Sequence, residues 1–255
     1  MRMSFPPDSP LVDTVVASPN HEARNGVARP DILLLHYTGM KATEAALERL
    51  CDPVARVSSH YLVFEDGRVV QLVPERARAY HAGESCWEGT RDINSRSIGI
   101  EIGNQGHDYG CPEFPAMQVA SVIALARDIV ARWAIARYRV LAHSDVAPGR
   151  KRDPGERFPW PRLAAAGVGL WVPPAPICSG VTLAPGDRGT DVAGLQRALA
   201  AYGYGIAPTG RYDAATQEVV AAFQRHFRPV RVDGIADVST VATLRKLQAK
   251  RDGSA

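Results

Sequence analysis

His36, His143 and Asp153 are the residues of this chain best suited to chemistry, with Glu101 and Lys151 as natural companions. Two imidazoles and one carboxylate fill three positions of a tetrahedral Zn²⁺ and leave the fourth open for water, the layout of a catalytic rather than a structural site. A single anionic ligand leaves the metal site net positive, which favours a developing oxyanion. Glu101 offers a carboxylate that can take a proton from water and hand it to a leaving nitrogen. Lys151 offers an ammonium for the oxyanion, an effect worth roughly 3 kcal/mol per donor. Amide hydrolysis needs both halves, because neutral water is a poor nucleophile and the reaction passes through a tetrahedral oxyanion.

The flanking sequence predicts a rigid position for each of the five. In Asp31 to Gly39 a short apolar run ends at His36 and breaks at glycine, so the histidine crowns a buried strand. In Ser97 to Gly103 the alternation is strict: three isoleucines face one way and Glu101 the other, between Gly99 and Gly103, which leaves space around the carboxylate that a ligand could fill. A third strand, Arg139 to Ala142, again ends at a histidine, His143, and the loop from Ala147 to Gly155 follows. Lys151 and Asp153 stand two apart in that loop, so an extended backbone directs both side chains the same way. The other histidines read differently. His21, His107 and His226 have no companion pattern and read as ordinary polar residues, and His60, beside Tyr61, reads as a supporting or packing residue rather than a ligand.

His36-Tyr37-Thr38, Ser97 to Glu101, and His143-Ser144-Asp145 followed by Pro148 to Gly155 resemble the type 2, zinc-dependent N-acetylmuramoyl-L-alanine amidases, over a stretch from about Ile32 to about Trp160. The resemblance implies a mixed central sheet with one zinc per catalytic domain at an edge of its groove. It further implies His36, His143 and Asp153 as ligands, Glu101 as general base and Lys151 as oxyanion stabiliser. His81 and Asn94 match positions that line the substrate groove. Phage members carry a cysteine where Asp153 stands, so the chain sides with the bacterial branch. The implied substrate is peptidoglycan or a muropeptide, cut between the lactyl group of N-acetylmuramic acid and L-alanine. Two alternatives accompany this reading: a cytosolic amidase recycling anhydro-muropeptides, and a recognition protein that has lost catalysis. The complete set of five residues argues against the latter.

The elements around these motifs point to an α/β domain, a mixed sheet flanked by helices. His60 to Val73 reads as a hairpin turning at Asp66-Gly67. Pro115 to Trp133 reads as a long helix with Val119, Val122, Ile123, Ala126, Ile129 and Val130 on its packing stripe. Asn104 to Pro115 reads as a loop over the groove. Trp171 to Pro176 is a proline-rich stiff linker, and beyond it Gly210-x-x-Asp213-x-x-Thr216 repeats as Gly234-x-x-Asp237-x-x-Thr240, with each aspartate a natural N-cap. Three amphipathic helices there make a small all-α bundle, which from about Leu183 to Leu247 resembles the peptidoglycan-binding type 1 domain. The expected division is 1–170 (core about 28–165) for the catalytic domain, 171–180 for the linker and 181–250 for the binding domain. A tethered wall-binding module raises the local substrate concentration without touching the chemistry.

A chain of 255 residues with 45% hydrophobic residues can build such cores, and a net charge of only +3 gives no indication of nucleic acid binding. No apolar run is long enough for a transmembrane segment. The four cysteines lack Cys-x-x-Cys spacing and read as free, partly buried thiols. The start, Met1 to Asp8, has no apolar leader, which favours the cytoplasm, whereas the wall-binding module favours the periplasm or cell wall.

Overall fold

The structure, a computed structural model, describes residues 5–253. The Met1–Ser4 part of the leader reading lies outside them. Among the described residues the order is β1 (Thr14–Val15), β2 (His21–Ala23), β3 (Ile32–Tyr37), α1 (Thr43–Cys51), β4 (Tyr61–Val63), β5 (Val69–Gln71), β6 (Ala77–Ala79), α2 (Ile93–Arg96), β7 (Ser97–Ile102), α3 (Ala116–Trp133), β8 (Val140–Ala142), α4 (His143–Val146), α5 (Trp160–Ala165), α6 (Thr190–Tyr202), α7 (Ala214–Phe227) and α8 (Val238–Asp252).

β3 is apolar along nearly its whole length because the sheet buries both its faces. The six-stranded sheet runs β1-β5-β4-β7-β3-β8 and is mixed: β3 pairs parallel with β7 and β8, while β4 and β5 form the expected antiparallel hairpin. On one face Leu33, Leu35 and the three isoleucines of β7 meet Val119, Val122, Leu125, Ala126 and Ile129 of α3. The register then fixes the chemistry. His36 lies opposite Glu101, and Leu35 lies opposite Ala142, the residue before His143. Three candidate residues therefore converge at the carboxyl ends of three adjacent parallel strands, where open α/β sheets place their ligands.

The opposite face carries Ile32, Leu34 and Leu141, and the C-terminal helices cover it. These residues share one hydrophobic cluster with Trp87, Val146, Tyr204, Phe223 and Phe227. Each such side chain contributes roughly 2 kcal/mol by leaving water. Asp213 and Asp237 cap α7 and α8 as expected, accepting from Thr216 N at 3.0 Å and Thr240 N at 2.7 Å. The proline-rich segment read as a stiff linker is itself packed against the C-terminal helices. Val172 is buried, Ala175 N donates to Thr243 Oγ1 at 2.9 Å, and Ser239 Oγ donates back to Ala175 O at 2.6 Å. Val172 belongs to the same apolar cluster as the sheet face and the C-terminal helices. All four cysteines are free: Cys111 is buried, Cys51 and Cys86 are half-buried and Cys178 is exposed. Among the described residues no helix is long and apolar enough to cross a membrane.

Candidate metal centre and active site

His36, His143 and Asp153 come together beside a cleft of about 460 Å³ that His143 and Asp153 line. His36 Nδ1 and His143 Nδ1 lie 2.9 Å apart, and Asp153 Oδ2 is 3.1 Å from the first and 2.9 Å from the second. The far side of each ring says which nitrogen carries the proton. His143 Nε2 is 3.0 Å from Ala82 O, which can only accept, so that nitrogen bears the hydrogen, and in the neutral form of the ring Nδ1 is a bare lone pair. His36 Nε2 is 3.0 Å from His81 Nδ1, and His81 Nε2 is 3.2 Å from Ser97 Oγ. Ser97 donates its own hydroxyl hydrogen to Ile93 O at 2.7 Å, so it must accept from His81. That leaves His81 Nδ1 as acceptor, His36 Nε2 as donor, and His36 Nδ1 bare as well.

Three acceptors thus face one another with no proton between them. Burial, with the neighbouring His143, holds the His36 imidazole down to about 4, so it stays neutral at physiological pH. A cation satisfies all three at once, and the donor set, two imidazoles and one carboxylate, is one zinc accepts.

Glu101 stands beside them on β7. Burial pushes its carboxyl well above the ordinary range, Asp153 adds to this, and Lys151 opposes it. Among the described residues no hydrogen-bond donor reaches its buried Oε2, an acceptor left available at the cleft wall. Lys151 and Asp153 both line the cleft, and so do Arg150 and Arg152, which add positive charge to it.

Comparison with known proteins agrees with this geometry. Residues 26–156 match the family model described as N-acetylmuramoyl-L-alanine amidase, and residues 188–244 match the one described as putative peptidoglycan binding domain. The chain is 39% identical to the N-acetylmuramoyl-L-alanine amidase AmiD of Escherichia coli (strain K12), covering 90% of this chain and 86% of that protein. It is 33% identical to the 1,6-anhydro-N-acetylmuramyl-L-alanine amidase AmpD of Salmonella typhimurium (strain SL1344), over 59% of this chain and 87% of that one.

The chain belongs to the N-acetylmuramoyl-L-alanine amidase family.

Among solved structures, E. coli AmiD in complex with the substrate anhydro-N-acetylmuramic acid-L-Ala-D-gamma-Glu-L-Lys superposes with a TM-score of 0.76 at 37% identity, covering 90% of this chain and 92% of that chain. AmpDh3 of Pseudomonas aeruginosa in complex with anhydromuramic pentapeptide gives a TM-score of 0.71 at 30% identity, covering 91% and 96%.

Other residues of this amidase surround the site. The space beside Glu101 is filled by the protein itself: a Cβ on Gly99 would lie 2.7 Å from the His81 ring, and one on Gly103 would lie 2.3 Å from Thr43 Oγ1. His81 borders the cleft, but both its ring nitrogens are engaged, by His36 and Ser97. Asn94 is buried behind the cleft lining, its Oδ1 accepting from His81 N at 3.0 Å and Ala82 N at 2.8 Å. His60 is a supporting residue: it accepts from Gly99 N at 3.0 Å, and burial, with Arg24 nearby, holds it down to about 3.

Two histidines without a sequence pattern have partners. His107, in the loop over the cleft, contacts Tyr37 Oη and Glu156 Oε2, each at 2.9 Å, and ties that loop to the one carrying Asp153. His226 of α7 stacks on Trp160 at 3.7 Å and meets Asp145 Oδ2 at 2.7 Å. The only local sequence sign was Asp145 itself, two residues past His143.

Proposed function

We propose that this protein is a zinc-dependent cell-wall amidase that hydrolyses the amide joining the lactyl group of N-acetylmuramic acid to L-alanine, in peptidoglycan or in muropeptides. His36, His143 and Asp153 would hold one Zn²⁺ per catalytic domain. When bound, the ion supplies Lewis acidity toward the carbonyl and makes water nucleophilic near neutral pH. Glu101 takes the proton from the attacking water and returns it to the L-alanine nitrogen as the carbon–nitrogen bond breaks. The free Oε2 of Glu101 suits that duty, because it has no competing donor. Lys151 holds its positive charge at the cleft, where the carbonyl oxygen becomes negative. The positive charge of Arg150 and Arg152 in the cleft favours a substrate bearing peptide carboxylates.

The observation that carries this reading is the triangle of bare acceptors beside a carboxylate without a donor. The division into 1–170, a linker at 171–180 and a binding unit at 181–250 is part of the proposal. The ligands in the two related complexes, both anhydromuramoyl peptides, favour anhydro-muropeptides as accepted substrates, the recycling alternative included. The C-terminal unit, matching a putative peptidoglycan binding domain, favours intact wall. Mass spectrometry of products from purified sacculi and from soluble anhydro-muropeptide, with chelator and after zinc is restored, tests the reading. Free stem peptides lost on chelation and regained with zinc are expected; cleavage at a glycosidic bond or between amino acids would refute it.

A further inference from the structure

The segment His81-Ala82 meets both ligand histidines from behind. The His81 ring faces His36 edge-on, with centroids 5.0 Å apart, and its Nδ1 receives the His36 Nε2 hydrogen. The next carbonyl, Ala82 O, receives the His143 Nε2 hydrogen at 3.0 Å. One side chain fixes this dipeptide, since the Asn94 carboxamide oxygen accepts from both of its amides. Ser97 closes the array from the other side by accepting from His81 Nε2, and Gly99 provides the room, because a methyl group there would run into the ring. Substrate contact does not explain these features: Asn94 Oδ1 points at backbone, and the His81 ring has no nitrogen left to offer.

We propose that Asn94, His81 and Ser97 form a positioning device that selects the tautomer of His36, and through Ala82 that of His143, so that both rings turn a bare Nδ1 toward the same point. This rests on the zinc reading above, in that the point is where the ion would sit. An imidazole free to carry its proton on Nδ1 is no ligand in that state, so tautomer selection converts directly into metal affinity. Groups that orient ligand histidines in this way are typically worth roughly 10–100-fold in metal affinity.

The test uses the full chain. Nitrogen chemical shifts of the His36 ring, measured on metal-free protein, report its tautomer; competition with a chromogenic chelator reports zinc affinity. Wild type is expected to hold His36 with its proton on Nε2. His81→Ala should populate both tautomers and bind zinc roughly 10–100-fold more weakly, with amidase turnover largely regained at saturating zinc. His81→Asn, which places a carboxamide oxygen near the lost Nδ1, should recover most of the affinity. Gly99→Ala, which displaces the ring without removing it, should resemble His81→Ala and serves as the second variant if that one fails to fold. Unchanged tautomer and zinc affinity in His81→Ala or in Gly99→Ala, even with lowered thermal stability, would overturn the proposal. If wild type binds no zinc, the amidase reading falls, while the tautomer measurement still decides this one.

Discussion

Two buried histidine–carboxylate contacts start from neighbouring positions on α4 and differ in their balance of protons and lone pairs. At the cleft, His143 and His36 both turn bare nitrogens on Asp153, so three acceptors crowd together. At the domain contact, Asp145 is fully satisfied: Ala142 N donates to it at 2.8 Å, Tyr204 Oη at 2.8 Å, and the His226 ring lies at 2.7 Å. The first arrangement is incomplete without a cation, whereas the second is complete with protein alone. A histidine beside an aspartate is therefore a metal site only when acceptors outnumber protons, and that count depends on what each ring's far nitrogen touches.

Substitutions at the two carboxylates separate these cases. Asp153→Asn should abolish zinc binding and lower turnover by roughly 1000-fold or more, since the ion's contribution is several kcal/mol at about 1.36 per decade. The metal-free variant should be no less stable than metal-free wild type, because the new amide can donate to a bare imidazole nitrogen; metal analysis and thermal melts check both halves. Glu101→Ala removes a group at the cleft that is not a ligand, so zinc should stay while turnover falls roughly 100- to 10,000-fold. Retained hydrolysis in that variant would reassign the base. Asp145→Asn should keep zinc affinity but cost about 3 kcal/mol, or roughly 6–12 °C in Tm, because it breaks a buried pair and disturbs three contacts. A large loss of zinc with no change in melting would reverse the comparison.

The smallest effect concerns Glu156, whose hydrogen bond with His107 holds its carboxyl down to about 2. A carboxyl depressed in the folded state stabilises above its unfolded pKa, and that contribution is lost as pH falls through the folded value. Glu156→Gln should thus melt about 2–4 °C lower at pH 7, with the gap closing between about pH 4.5 and pH 2. A gap that widened on acidification would contradict the assignment.

How much of this was legible in the sequence follows from the range of each signal. Strand ends and alternation are local, so His36, Glu101 and His143 could be placed at one end of a sheet before any fold was known. The pairing of His226 with Asp145 spans 81 residues and leaves no periodic trace. The glycines flanking Glu101 signalled room, correctly, but glycine cannot say who occupies it, and His81 and Thr43 fill it. The proline-rich segment was read as a stiff linker, and composition reports stiffness rather than packing. The C-terminal helices cover one apolar face of β3, and the strand's continuous hydrophobic run carried the demand for a partner without naming it.

The most direct test is a crystal structure of the zinc-soaked protein with anomalous data collected on both sides of the zinc edge. One ion is predicted, bonded to His36 Nδ1, His143 Nδ1 and Asp153 Oδ2 at roughly 2.0–2.2 Å, with no other protein side chain coordinating it. Zinc bound through other atoms, or an empty triangle in protein that still cleaves the lactyl amide at full rate, would contradict the account.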